Sequence, residues 1–152
     1  MTGAERAAPR SARRRAREFT LQGLYQWQLS GTAPETVAAQ LAEAEGAARM
    51  DADYFRRLLI GVTAEAESLQ AAIQPCLDRP WGQVSPVERA ILLVAAFELA
   101  RAPDVPYRVV INEAVELAKR YGGTDGHKFV NGVLDRLAAA ARPAEAGAAA
   151  GR

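Results

Sequence analysis

Residues 85–99 read SPVERAILLVAAFEL, and this stretch decides the fold class. Ser85, Pro86 and Glu88 form a helix-start signal, with a cap residue, a proline in the first turn and a glutamate three residues after the cap. The residues that follow are apolar on nearly every side and do not alternate as a strand would. A helix of this kind is typical of the centre of a helical bundle. The sequence therefore predicts an all-α protein built around this segment.

Helical spacing of apolar residues continues on both sides of this central segment, and no strand-like alternation interrupts it. Toward the C-terminus, Pro106 opens a helix and Gly122-Gly123 closes it. Toward the N-terminus, apolar residues at steps of three and four predict one long amphipathic helix up to Pro75. We expect six to seven helices, with segments at 11–30, 34–45, 51–75, 86–101, 106–121 and 125–141.

Basic charge is concentrated at the N-terminus. Residues 1–17 hold six arginines and one glutamate, which gives +5, and because the whole chain carries +1 the remaining 135 residues sum to −4. Guanidinium groups are permanently charged and match phosphate in geometry. The run RRRAR at 13–17 enters the first helix without a helix breaker, which predicts an Arg-rich arm that binds nucleic acid. A solvated tail that only aids solubility is the alternative.

Length and composition exclude several other classes of protein. A chain of 152 residues fits one domain of ordinary size. No apolar run approaches the roughly 20 residues that span a bilayer, and no apolar signal core follows the arginines, so we expect a cytoplasmic protein. Cys76 and His127 are each the single residue of their type. Since no phosphate loop, HExxH or GxSxG motif occurs either, we expect no enzyme, no cofactor and no metal.

Three segments of the chain resemble the NusB family of bacterial transcription antitermination factors. They are RRRAREFTLQGLYQWQLSG at 13–31, SPVERAILLVAAFEL at 85–99 and DVPYRVVINEAVELAKRYGGTDGHKFVNGVLDRL at 104–137. The resemblance implies an all-helical fold of two small packed bundles, the first including the arginine arm. It also implies a partner, ribosomal protein S10 in its transcription role as NusE. With other Nus factors, the pair would bind boxA in single-stranded nascent RNA so that RNA polymerase resists termination, notably on ribosomal RNA operons.

The resemblance and the residue chemistry together name an RNA-binding set. Single-stranded RNA is bound through phosphate charge and through bases stacked on aromatic or guanidinium planes. A helix N-terminus after Gly122-Gly123 favours phosphate, whereas Gly126 departs from the side-chain-bearing residue expected there. Tyr25 and Phe129 remain open to the alternative of core packing. The expected RNA-binding residues are Arg13, Arg14, Arg15, Arg17, Tyr25, Asp125, Lys128 and Phe129.

For the protein partner, the resemblance points to Glu88 and Tyr107. An acidic group there suits a basic ribosomal protein, because complementary charge steers association. Glu88 is open to a second reading, as the glutamate of a capping box that does no more than start its helix.

Domain limits and two competing functions complete the expectations. We expect a mostly disordered basic arm at 1–12, a helical domain at 13–141 and a disordered Ala/Gly/Pro tail at 142–152. One alternative function is a stand-alone RNA-binding module related to the N-terminal domain of ribosomal RNA cytosine methyltransferases. The other is a helical DNA-binding regulator. The sequence leaves open whether the protein is a monomer or a homodimer.

Overall fold

A computed structural model describes the backbone of residues 3–147 and the side chains of residues 11–146, and within that part of the chain every regular element is helical. The prediction of an all-α fold with six to seven helices is confirmed. Short 3₁₀ turns and a final π-helical turn at Pro143–Gly147 join or follow the α-helices. The seven α-helices are α1 (Gly3–Ser30), α2 (Pro34–Ala42), α3 (Ala52–Ala64), α4 (Ala66–Ile73), α5 (Pro86–Arg101), α6 (Tyr107–Tyr121) and α7 (Gly126–Ala141).

The chain divides into two compact units between Ala64 and Glu65. Helices α1, α2 and α3 pack on one another in the first unit. Helices α4 to α7 form the second, in which α5 packs on α4, α6 and α7. The two small bundles implied by the resemblance are therefore present.

The single long helix predicted over 51–75 is wrong. The helix is interrupted at Glu65, whose φ of −110° and ψ of 16° lie outside the α-helical range. The apolar spacing could not reveal this break, because Val62 and Leu69 are both buried, each in its own unit. The Glu65 carboxylate accepts hydrogen bonds from Nη2 and Nε of Arg101 at 2.7 and 3.1 Å. These bonds join the residue at the break to helix α5 of the second unit.

Helix α5 has the central position that its sequence predicts. Its residues from Ala90 to Leu99 are buried. The backbone N–H of Glu88 donates to Oγ of Ser85 at 3.2 Å, so the predicted helix start is confirmed. This buried helix is the scaffold on which the second unit holds the starts of α6 and α7.

Helix α1 begins earlier than predicted, at Gly3 rather than at Ser11. Alanine, glutamate and arginine are strong helix formers, and they carry the helix through Ser11. The arginines at 13–17 therefore lie inside a helix and do not form a separate arm over the described residues. The predicted disorder of residues 1–12 stays a prediction, and its first two residues lie outside the described part.

The C-terminal segment also differs from the loose tail predicted from position 142. Residues 142–146 are described, and within them Ala146 is buried and Arg142 makes several hydrogen bonds. The segment has few large side chains, but one guanidinium and one carboxylate tie it to the second unit. Residues 148–152 of the predicted tail lie outside the described residues.

Candidate nucleic-acid interface

One face of the basic stretch of α1 is turned inward, onto Tyr54. Arg13 and Arg17 are four residues apart, which places them on the same side of the helix. The guanidinium of Arg13 lies 4.2 Å from the centre of the Tyr54 ring, and that of Arg17 lies 5.5 Å from it. Nε of Arg13 is also 3.9 Å from a carboxylate oxygen of Asp51. Part of the predicted RNA-binding charge is thus used to pack the first unit.

Arg17 is a correction to the predicted RNA-binding set. It is only 4% exposed, so phosphate cannot reach its guanidinium while the unit stays folded. Its stem and head pack instead beside Tyr54, which is itself buried. This role could not be predicted from local patterns, because Tyr54 lies in an ordinary amphipathic helix and its pairing with α1 is a tertiary contact.

The outward face of α1 carries the basic and aromatic groups that a ligand can reach. Arg14 is exposed and Tyr25 is 42% exposed, so Tyr25 does not lie in the core. The two residues are eleven positions apart, which is about three turns and about 16 Å along the helix, so both lie on one side of it. Arg15 is half-buried, with its guanidinium beside the turn at Gly46. The first unit thus offers an exposed stripe with cationic charge at one end and a tyrosine ring at the other.

The second candidate surface lies at the start of α7. Asp125 stands at the N-cap position with a left-handed φ of 62°, and its side chain accepts no capping hydrogen bond. Its carboxylate instead lies 3.4 Å from Nζ of Lys128, and both side chains are well exposed. Charge at this helix start is therefore set by an exposed ion pair.

Phe129 follows directly and is half-buried, at the edge of the buried stripe that starts with Val130. One face of its ring is covered by the guanidinium of Arg79, which lies 4.3 Å from the ring centre. Arg79 is not among the predicted site residues, because it stands in a connection 50 positions before Phe129. The only signal available was a cation beside the Pro80-Trp81-Gly82 break.

Glu88 lies against the start of α7 within the same unit. A Cβ placed on Gly126 would stand 2.7 Å from Oε2 of Glu88, closer than real Cβ contacts. The absence of a side chain at position 126 therefore makes room for the Glu88 carboxylate. The predicted partner residue Glu88 and the predicted RNA-binding segment at 125–129 are neighbours, a proximity that the sequence did not predict.

Tyr107 is half-buried at the first position of α6, and its backbone is held by the C-terminal segment. Its N–H donates to Oε2 of Glu145 at 3.0 Å, and this bond, together with Arg142, holds the pKa of Glu145 below its ordinary value. The guanidinium of Arg142 donates to the main-chain carbonyls of Glu98, Leu99, Ala102 and Val105. One arginine thereby adds a side-chain donor to carbonyls at and after the end of α5, among which those of Glu98 and Ala102 also accept backbone N–H groups.

Two further properties of the described residues bear on function. None of the helices over 3–147 is long and apolar enough to cross a membrane. In the same part of the chain, no group of three or more His, Cys, Asp or Glu side chains is placed to hold a metal ion.

Comparison with known proteins gives matches over most of the chain. A sequence model described as the NusB family matches residues 14–139. The transcription antitermination protein NusB of Paraburkholderia phytofirmans is 59% identical over 140 residues, which is 92% of this chain and 97% of that protein. The solved structure of T. maritima NusB is similar with a TM-score of 0.78 at 30% identity, over 90% of this chain and 96% of that one.

A second solved structure contains partners. It is a crystal structure of antitermination factors NusB and NusE in complex with dsRNA. It matches with a TM-score of 0.75 at 26% sequence identity, over 86% of this chain and 98% of that one.

Proposed function

The chain belongs to the NusB family, and we propose on that basis that it is a transcription antitermination factor that binds RNA together with ribosomal protein S10 (NusE). The observation that carries the proposal is the match over 86% of the chain to a structure of NusB and NusE with RNA. In the family role, the pair binds boxA of the nascent transcript and joins RNA polymerase and other Nus factors, notably on ribosomal RNA operons. The protein acts in the cytoplasm, where this RNA is made.

The exposed stripe of α1 supports RNA binding by the first unit. Arg14 is exposed, and Arg13 and Arg15 are partly exposed, so these arginines supply cationic charge for phosphates. Tyr25 supplies a ring on which a base stacks. We leave Arg17 out of the contact set because it is buried. Unpaired bases are needed for stacking, so we propose single-stranded RNA as the ligand, although the solved relative holds dsRNA.

The start of α7 supports RNA binding by the second unit. Lys128 is exposed and Phe129 is half-exposed, so both are within reach of a ligand. Asp125 acts against them, because its carboxylate repels phosphate and pairs with the Lys128 ammonium. In this proposal Asp125 limits affinity and does not contribute to it.

The partner surface follows from Glu88 and Tyr107. Both stand at helix starts of the second unit, on α5 and α6. Glu88 offers a carboxylate to a basic ribosomal protein, and Tyr107 offers a partly exposed ring whose backbone is fixed by Glu145. The protein performs no chemistry in this role, because binding alone assembles the complex.

A binding assay with four ligands tests the proposal. Fluorescence anisotropy is measured with labelled boxA RNA, a scrambled RNA of the same composition, duplex RNA and duplex DNA. We expect boxA RNA to bind tightest. Preference for duplex DNA would favour a DNA-binding regulator, and equal binding of boxA and scrambled RNA would favour a general module such as that of the methyltransferases. Tighter binding of duplex RNA than of boxA RNA would reject single-stranded RNA as the ligand, but it would leave the proposal of RNA binding standing.

A further inference from the structure

Arg79 is held in a fixed position over the Phe129 ring. Its guanidinium lies 4.3 Å from the ring centre, within the range of a cation–π contact. Nε and Nη2 of Arg79 donate to the two carboxylate oxygens of Asp78 at 2.7 and 3.2 Å. The guanidinium thus contacts both the carboxylate and the ring, while the side chain stays 40% exposed.

The restrained guanidinium still has donors to offer. Arginine carries five N–H donors, and Asp78 engages two nitrogens of the group. The side chain is 40% exposed and contacts Phe129, the residue that follows Lys128, so the donors that Asp78 does not engage remain for a ligand. A guanidinium plane also stacks on bases, as an aromatic ring does.

We propose that Arg79 is a further RNA-binding residue, which presents its plane and its remaining donors to RNA as the outer layer of a stack on Phe129. The proposal rests on the proposed function, because it assigns a new contact to the RNA surface of the second unit. In this arrangement RNA meets an arginine–phenylalanine stack, and Phe129 acts mainly by holding the arginine. Phe129 positions the guanidinium, and Arg79 supplies both charge and plane.

Two carboxylates oppose this contact. Asp78 forms the bidentate pair, and Arg79 in turn lowers the pKa of Asp78, so Asp78 stays ionised at neutral pH. The carboxylate of Glu88 is near enough to raise the pKa of Arg79 further. RNA phosphate must therefore compete with Asp78 for the guanidinium. Removing the Asp78 charge should make Arg79 more available to RNA.

The test compares five variants, Phe129→Ala and its combination with Arg79→Ala among them, with a matched control in anisotropy titrations of boxA RNA over a range of salt concentrations. Arg79→Ala removes charge and plane, Arg79→Lys keeps the charge alone, and Asp78→Asn removes the competing carboxylate. The control is Arg101→Ala, which also breaks a bidentate exposed pair in the second unit, with Glu65. Urea midpoints identify any variant that fails to fold.

We expect Arg79→Ala to weaken RNA binding about ten-fold, within the range for loss of one stacking residue, and to reduce the salt slope by about 0.7. Arg79→Lys should keep the slope and still lose several-fold in affinity, because the ammonium has no plane. Asp78→Asn should bind several-fold tighter than wild type. Phe129→Ala combined with Arg79→Ala should lose less than the two single losses added together, since one stack is removed in both.

Three results would overturn the inference. If Arg79→Ala binds like Arg101→Ala while wild type binds boxA RNA, Arg79 is a structural residue and the proposed function stands without it. If Arg79→Ala unfolds, Arg79→Lys and Asp78→Asn decide, and wild-type affinity in both rejects the contact. If wild type itself binds no RNA, the proposed function and this inference fail together.

Discussion

Replacing Arg142 by alanine should destabilise the protein strongly, although the residue stands at the start of a segment that its sequence marks as a loose tail. The guanidinium donates to four main-chain carbonyls and to Oε1 of Glu145, and the side chain is only 10% exposed. Three of the carbonyls belong to Glu98, Leu99 and Ala102, at the end of the buried helix α5. Arg142→Ala removes the charged donor from all of these acceptors, although the carbonyls of Glu98 and Ala102 keep a backbone N–H donor each.

The expected loss follows from these bonds. A hydrogen bond to a charged group contributes about 1.5–3 kcal/mol to stability. The five bonds share one guanidinium and are not additive, and water hydrates some of the carbonyls once the side chain is removed. We therefore expect a loss of about 3 kcal/mol. With a slope of about 2 kcal/mol per molar urea, this loss corresponds to a midpoint shift of about 1.5 M.

Urea denaturation followed by circular dichroism measures the shift, with two comparisons. Arg142→Lys keeps the charge, but a single ammonium cannot reach carbonyls on several sides, so an intermediate midpoint is expected. Arg101→Ala removes an exposed arginine of the same unit and should shift the midpoint little. An Arg142→Ala midpoint equal to that of Arg101→Ala would show that the Arg142 bonds do not stabilise the fold and that the C-terminal segment is a loose tail.

Three other predictions concern RNA binding and pH. Replacing Arg13, Arg14 and Arg15 together by alanine should flatten the salt dependence of RNA affinity by about one to two units, at about 0.7 per phosphate contact and with Arg13 already engaged by Tyr54 and Asp51; an unchanged slope would mean that the basic stretch only aids solubility. Asp125→Asn should tighten RNA binding several-fold at low salt, because it removes a repelling charge and releases Lys128 from a pair at 3.4 Å, while asparagine tolerates the φ of 62°; weaker binding by the folded variant would mean that Asp125 does not face RNA. The pKa of Glu145 lies below its ordinary value of 4.5, so its contribution to stability is complete above pH 4.5 and is lost as pH falls through the lowered value; Glu145→Gln should show a smaller acid loss in urea midpoints, and an identical acid loss in the two proteins would contradict this.

Most of the helical architecture could be predicted from local patterns. The cap at Ser85, the proline after it and the apolar run behind them each act within a few residues, and together they fix α5. The break at Glu65 could not be predicted, because apolar spacing continues through it while the buried residues on either side serve different units. Periodicity reports which residues are buried and not which partner buries them.

The residue types of the candidate site could be predicted from the sequence, whereas their arrangement in space could not. Charge alone marks the arginines at 13–17, but only the packing of Tyr54 divides them into an inward and an outward face. Arg79 and Phe129 are far apart in sequence and meet through the fold of the second unit. Asp125 has a cap residue's identity, whereas its left-handed backbone gives its carboxylate a different partner.

A calorimetric titration of S10 into the protein, with and without boxA RNA, tests whether the protein and S10 bind RNA as a pair. If the protein and S10 contribute contacts to the same RNA, the RNA must strengthen S10 binding by the same factor by which S10 strengthens RNA binding. We expect a lower S10 dissociation constant when RNA is present, and the same fold-gain in RNA affinity when RNA is titrated into the preformed pair. Equal S10 affinities in the two titrations would contradict it.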